Sequence, residues 1–449
     1  MPRPGLFAIA VPCLALLTGC ATHITRLEPV RGAFHRGDLD EAERLIAADL
    51  EKHPGDADVL TLDRAIVALA DGRPLEAEDL LKEVRDRFDH LEQESPVEDA
   101  WSMLSDDQQR SYAGEDHEKV LVRAMLAITN LASDGGDAEA FGYQAAEKQA
   151  EIVAAAVDED GTNPKASYRQ IALAPYLRGV LREETHRDYD DAARHFATVV
   201  NWQPEFNAGQ ADVVRASGGV HSRRGHGVVH LFALVGHGPC KVVVEEIPSS
   251  AALLVADQIL SATLAQSLPP TVAPIKVPRV VAAPGRSRSV SVSLGTASGG
   301  WTPAGQTAKI TDISRMAVDQ EAAVHDRTVA RAVARRALKK GTVFGVKEGL
   351  GVDRFGPAAL LFDVAGVAWE AAENADTRCW GLLPDSIQVV RIELPAGTHT
   401  LALRAIDEAG HPVGPAVPRS VTVADGRNTY VVLQAPDAGI IGKVLTSCP

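Results

Sequence analysis

A ten-residue pattern that returns at a fixed offset near the start of the chain limits the fold more than any other feature. Gly37-x-Leu39-x-Glu41-Ala42-Glu43-x-Leu45-Ile46 recurs 35 residues on as Gly72-x-x-x-Glu76-Ala77-Glu78-x-Leu80-Leu81, six positions keeping one offset. The spacing is helical: the alanine sits where two antiparallel helices approach closely, the large apolar residue four positions on faces the same seam, and the glycine makes the turn before the helix. Ala42, Ile46 and Pro54 are spaced by 4 and 12, and Ala192, Phe196 and Pro204 repeat those spacings, with Tyr189 preceding Ala192 as Leu39 precedes Ala42. Between these copies, Lys119 to Leu131 and Ala138 to Val157 read as amphipathic helices, the second after the turn Asp134-Gly135-Gly136-Asp137.

This pattern resembles tetratricopeptide repeats, whose period is about 34 residues. Three degenerate copies are expected, because the aromatic and glycine positions of the first helix in each pair are poorly kept. The alternative is a helical bundle without a concave face. Repeats of paired helices build extended faces suited to peptides or proteins.

After Pro204 the composition changes. Asn207-Ala208-Gly209, Ser217-Gly218-Gly219 and Arg223-Arg224-Gly225 suit a linker. Beyond it the apolar period moves toward two. Val228 to Val235, the turn Gly236-His237-Gly238-Pro239 and Lys241 to Ile247 read as a hairpin. Further strands are expected at Val272 to Val281, Ser289 to Leu294, Ile387 to Leu394, Thr398 to Asp407, Ser420 to Val423 and Thr429 to Leu433, the last four as a small antiparallel sheet of a sandwich. The fold class is therefore α+β, a helical-repeat region followed by a β-rich, sandwich-like region with inserted helices. The expected division is a signal peptide over 1–19, a tether over 20–30, a helical domain over 31–204, a linker over 205–225, and a β-rich domain over 226–449 with helices near 318–340 and 357–372.

The first residues carry an export signal: Arg3, an apolar run from Leu6 to Leu17, then Thr18-Gly19-Cys20-Ala21. The run is about 12 residues, short of the ~20 that span a bilayer. Leu17-Thr18-Gly19-Cys20 resembles the lipobox of bacterial lipoproteins, which implies that Cys20 is lipidated and becomes the mature N-terminus. By the same analogy Ala21, in place of an acidic residue, implies the outer membrane; the periplasmic face is the expected one, with exposure at the cell surface left open. One acyl chain holds a protein only marginally, so stable anchoring takes more than one. Of the remaining cysteines, Cys240, Cys379 and Cys448 allow at most one intramolecular disulfide; Cys379 with Cys448 and unpaired buried thiols are both open.

With 45 basic against 60 acidic residues the chain has the wrong sign for a nucleic-acid binder. The acidity is concentrated between Asp38 and Glu118, on the first helical repeats. It suits a basic protein partner or a solvated helix face. Arg327, Arg331, Arg335 and Lys339, at steps of four, form a basic stripe that could meet the acidic repeats, a partner or anionic headgroups, or simply face solvent. His221, His226, His230 and His237 precede Cys240, but His226 and His230 would stand about 13 Å apart on one strand face, too far to share an ion. They read as surface or turn histidines. No metal or cofactor is expected. GxSxG, HExxH, GxxxxGK[ST] and GxGxxG are all missing from the sequence.

Ala375-Asp376-Thr377-Arg378-Cys379-Trp380, Leu382-Leu383-Pro384, Ile387-Gln388-Val389-Val390-Arg391 and Leu394-Pro395-Ala396-Gly397 resemble the signature of a family of uncharacterised bacterial lipoproteins with tetratricopeptide-like repeats. Tyr112-Ala113-Gly114-Glu115-Asp116-His117-Glu118 and the arginine-rich helix are similar to that family too; cysteine at 379, in place of a small polar residue, departs from it. The resemblance implies location and build, and an envelope partner related to peptidoglycan synthesis, but no catalysis. From the residues alone, Asp376, Arg378 and Trp380 form either an ion pair capped by an aromatic that locks helix to sheet, or a ligand site. The expected function is a non-enzymatic, lipid-anchored interaction scaffold of the cell envelope; the alternative is an envelope-polymer hydrolase or transferase with its site in the C-terminal half. Replacing Cys20 by Ser is expected to move the chain from the membrane to the soluble fraction and to remove the acyl mass from its N-terminal peptide. A C20S chain that still fractionates with membranes would contradict the lipid anchor.

Overall fold

The structure, a computed structural model, describes residues 22–94, 111–157, 161–264, 274–283, 285–349 and 375–447. Cys20, Cys448 and the apolar stretch Pro357 to Ala372 lie outside the described residues. The architecture is α+β, with helices first and sheets in the second half. Helices α1 (His23–His35), α2 (Leu39–Lys52), α3 (Ala57–Ala70), α4 (Pro74–Glu94), α5 (Asp116–Leu131), α6 (Ala138–Ala154), α7 (Leu173–Glu184), α8 (Tyr189–Trp202) and α9 (Gly209–Ser217) stack in series, each against the next. The repeated glycines turn the chain inside the first two pairs, Gly37 with φ 80° and Gly72 with φ 78°, a backbone conformation that L side chains adopt at a cost. Ala42, Ile46, Ala192 and Phe196 are fully buried, as seam positions require. Among the paired helices α3, α5 and α7 bury most of their residues, polar ones such as Asp63, Glu118 and Glu183 included, whereas α2 and α8 bury one narrow stripe. A helix buried on most sides must be covered on more than one side.

The cover is the chain's own sheet. Strands β1 (His226–Val235), β6 (Ala308–Asp312), β7 (Ser386–Pro395), β10 (Asn428–Ala435) and β11 (Ile441–Thr446) form a five-stranded sheet in the order β11-β10-β1-β7-β6. Strands β4 (Ser289–Gly295), β5 (Trp301–Gln306), β8 (Gly397–Ile406) and β9 (Pro412–Val423) form a second sheet, β5-β4-β8-β9. The period of two along β1 divides its side chains. Val229, Leu231 and Ala233 share a core with Val290, Leu403 and Val421 of the second sheet, and Phe232 and Leu234 share one with the helices. A third unit pairs β2 (Cys240–Glu246) with β3 (Ile275–Val281) under α10 (Ser250–Leu264) and α11 (Ile313–Gly349), around Ala256, Val277 and Val329.

Several expectations need correction. The tether over 20–30 is overlapped by α1, which starts at His23 and buries Leu27 and Val30. The linker over 205–225 contains α9, held by Phe206 and Ala216 in the core and by Arg215 between Asp212 and Glu183. Val228 to Ile247 is not a hairpin: β1 lies between β10, parallel, and β7, antiparallel, while β2 pairs with β3. The reason is burial, since a strand apolar on both faces takes a central place covered from both sides. For the same reason the last four expected strands divide between two sheets. The helical and β-rich regions share one core and are not separate bodies.

The histidines also differ from expectation. His221 and His230 are buried, and the rings of His35 and His237 stack 3.7 Å apart between α1 and the turn after β1. Burial, with the positive potential of neighbouring His237 and Arg31, pushes His35 down to about 3, so it is neutral.

Strand β11 runs past the turns of the first repeats. Gly442, with φ 61°, passes so close to α3 that an added Cβ would stand 2.1 Å from the Ala70 carbonyl oxygen. Gly442→Ala is expected to cost about 2 kcal/mol or more, read from the urea midpoint. An unchanged midpoint would mean that this approach is looser than described.

Candidate functional site

The first part of the family-like block, from Ala375 to Asp385, runs as irregular chain between the helices and the sandwich, before β7 begins at Ser386. Its backbone N–H groups find no ladder there and require other acceptors. Two buried carboxylates of the helical stack supply them. Glu118, in the first turn of α5, accepts the Trp380 N–H at 2.7 Å through Oε1, and through Oε2 the Glu115 N–H at 2.9 Å and the Tyr112 hydroxyl. It is also one half of a capping box with Glu115. Asp63 on α3 accepts the Leu382 N–H at 2.8 Å. Burial raises the Asp63 carboxyl to about 8, against the lowering effect of that hydrogen bond, so it is largely protonated at neutral pH.

Asp376 and Arg378 are brought together. The Arg378 Nε and Nη2 donate to the Asp376 carboxylate at 3.0 and 2.7 Å, and the guanidinium lies 5.4 Å from the ring centre of Tyr112. The aromatic beside the ion pair is therefore Tyr112, from the upstream motif. Trp380 is fully buried in the core, anchored by its backbone N–H. Gly114 makes the approach to α5, with φ 74° and its Cα against the Phe88 ring, where any side chain would collide.

Arg378 also lines a cleft of about 320 Å³ bounded by residues 111–117, one side of α11, and Lys241, Pro278 and Val280 of the two-stranded sheet. Every carboxylate on its wall has a cationic partner. Glu115 pairs with buried Lys241, Asp116 with Lys165 at 2.7 Å, Glu321 with Arg279 at 3.8 Å, and Asp376 with Arg378. Burial alone would lower Lys241; the Glu115 carboxylate outweighs it and holds the ammonium above its usual range.

The basic stripe does not act as one. At 3.6 residues per turn, steps of four drift by about 40° each, and of the three arginines whose side chains are described only Arg331 faces the cleft. Arg327 and Arg335 are half-buried with partners of their own. The Lys339 side chain lies outside the described residues. Among the described residues no group of three or more His, Cys, Asp or Glu side chains is placed to hold a metal ion, no helix is long and apolar enough to cross a membrane, and Cys240 and Cys379 are free thiols. Burial pushes the Cys379 thiol up to about 12.

Asp63, Glu118 and Lys241 escaped the sequence reading as members of this assembly. A signal existed only for Glu118, whose capping-box spacing to Glu115 is readable; an acid at the centre of an apolar helix, such as Asp63 between Leu62 and Ala65, is a weaker flag. No family model, curated protein or solved structure matches the chain.

Because folding raises the Asp63 pKa, the folded state holds a proton that the unfolded chain releases between the ordinary carboxylate value of 3.8 and about 8. Its contribution is present below that window and is lost as pH rises through it. Asp63→Asn, neutral throughout, is expected to gain on the wild type by about 1 kcal/mol per pH unit across the window, measured by urea denaturation from pH 4 to 8. Parallel profiles would show that Asp63 is ionised in the fold.

Proposed function

We propose that this chain is a lipid-anchored cell-envelope protein that works as a non-enzymatic interaction scaffold, and that it meets its partner through the outer side of the helical stack. The observation that supports this is the occupied inner side. Helices α3, α5 and α7 give their apolar surface to the chain's own sheet and hydrogen-bond to it or to the segments around it, through Ile66 to Gln434, Glu118 to Trp380 and Val180 to Asn428. A concave surface of paired helices that would otherwise take a peptide is filled in cis.

What the stack leaves to solvent is mainly acidic, with Arg36, Arg44, Lys52 and Arg87 interspersed. Asp40 and Glu51 on α2, Asp79, Glu83 and Asp86 on α4, and Glu147 and Glu151 on α6 are exposed, with Leu75 and Tyr143 on the same helices 65% and 52% exposed. Carboxylates around isolated apolar anchors suit a basic partner, steered by charge and held by burial of the anchors. The Asp376–Arg378 pair, spent on itself and on Tyr112, supports a positioning role for that block over catalysis.

Crosslinking in detergent-solubilised envelopes tests the reading. A partner is expected to be captured at low salt, lost at high salt, and lost from an Asp79→Lys, Glu83→Lys, Asp86→Lys variant that folds normally, because exposed charge contacts are screened within about 10 Å at 0.1 M salt. Capture indifferent to both salt and charge reversal, or no capture at all, would count against the outer face.

A further inference from the structure

The cleft beside Arg378 contains two groups whose bonding capacity is unused. Arg331 is exposed at its rim and makes no ion pair or hydrogen bond among the described residues, although four carboxylates line the same wall, each engaged with another cation. Gln320 lines the cleft eleven residues earlier on the same helix, is 5% exposed, and its Oε1 has no hydrogen-bond partner. A buried amide oxygen without a donor is costly, and a guanidinium is built to take a carboxylate through two parallel hydrogen bonds. The cleft thus presents an anion receptor at its rim and, within its wall, a buried amide oxygen that has no donor.

We infer that this cleft binds the C-terminal end of a short extended peptide, with Arg331 on the terminal carboxylate and Gln320 Oε1 on a backbone N–H. Eleven residues of helix span about 16 Å, and an arginine side chain reaches back toward the helix N-terminus, which shortens the gap to a few extended residues at roughly 3.3 Å each. The volume agrees, since about 320 Å³ is at the small end of ligand pockets and admits two or three small residues. Pro278, Val280, Ala317 and Val324 supply the apolar wall against which small side chains rest. The charge balance sets the sign: with Glu115, Asp116 and Asp376 each paired with a cation and Glu321 sharing Arg279 with Glu246, the cation facing the cleft that no carboxylate engages is Arg331. This site is independent of the outer-face reading, because it lies where the helices meet α11 and the two-stranded sheet.

The test is titration calorimetry on the full chain in detergent micelles with N-acetyl-Ala-Ala-Ala as the free acid, its C-terminal amide, and sodium acetate and inorganic phosphate as separate arms. The free acid is expected to bind, the amide at least about tenfold more weakly, and acetate and phosphate more weakly still, with Arg331→Ala losing at least about tenfold and Gln320→Leu a few-fold. Arg331 is exposed, so its variant should melt with the wild type, and Arg331→Lys should restore part of the affinity. Equal binding of acid and amide, binding by Arg331→Ala at wild-type strength, acetate or phosphate matching the peptide, or no binding at millimolar peptide would each overturn the assignment.

Discussion

Two acidic side chains buried in one seam, Glu118 and Asp63, join the helical stack to the segment that leads into the sheet. The chain from Ala375 to Asp385 has no regular structure, yet it passes between a helical stack and a sandwich where water cannot satisfy it. Glu118 and Asp63 meet that need from the helical side, accepting the N–H groups of Trp380 and Leu382. Burying a carboxylate is costly and so is burying an unpaired amide; placing one against the other removes much of both costs. Asp63 resolves the remainder by holding its proton, and Glu118 by taking three donors at once.

From that seam follows the allocation of surfaces. Once the inner helices are covered by β1, β7 and β10, that side of the stack is closed, and what remains is the mainly acidic outer side with a polar hollow of about 690 Å³ between α4, α5 and α6. The small unit of β2, β3, α10 and α11 has its own core and meets the rest along the cleft. Lys241 bridges it to Glu115 on the helical side, so the cleft walls are fixed by ion pairs as well as by packing. Such pairs, largely withdrawn from solvent, keep the wall in one geometry and leave Arg331 as the charge available to a visitor.

Much of the architecture was legible because local periodicity carries it. The 35-residue offset located α2 and α4 through Ala42, Ile46, Ala77 and Leu81, and alternation located most of the strands. What failed was adjacency. Val228 to Val235 was read with its sequence neighbour as a hairpin, whereas its partner in parallel is β10, some two hundred residues away. The glycine-rich stretch after Pro204 resembled a linker because glycine marks flexibility in isolation, yet Arg215 pins it between Asp212 and Glu183. Of the site, Asp376, Arg378 and Arg331 stand out in the sequence; Tyr112 lies in a motif that gives it no role, and Asp63, Lys241 and Gln320 carry no spacing that connects them.

The sequence by itself determined the helical first half, the strand-rich second half and the excess of acidic over basic residues, because each depends on composition or on neighbours a few residues apart. Only the tertiary structure decided that the helices close on the chain's own sheet, that Glu118 and Asp63 serve a segment more than two hundred and fifty residues downstream, and that Arg331 faces a cleft without a counter-ion. Those facts depend on which distant surfaces exclude water from each other, and no local period encodes that.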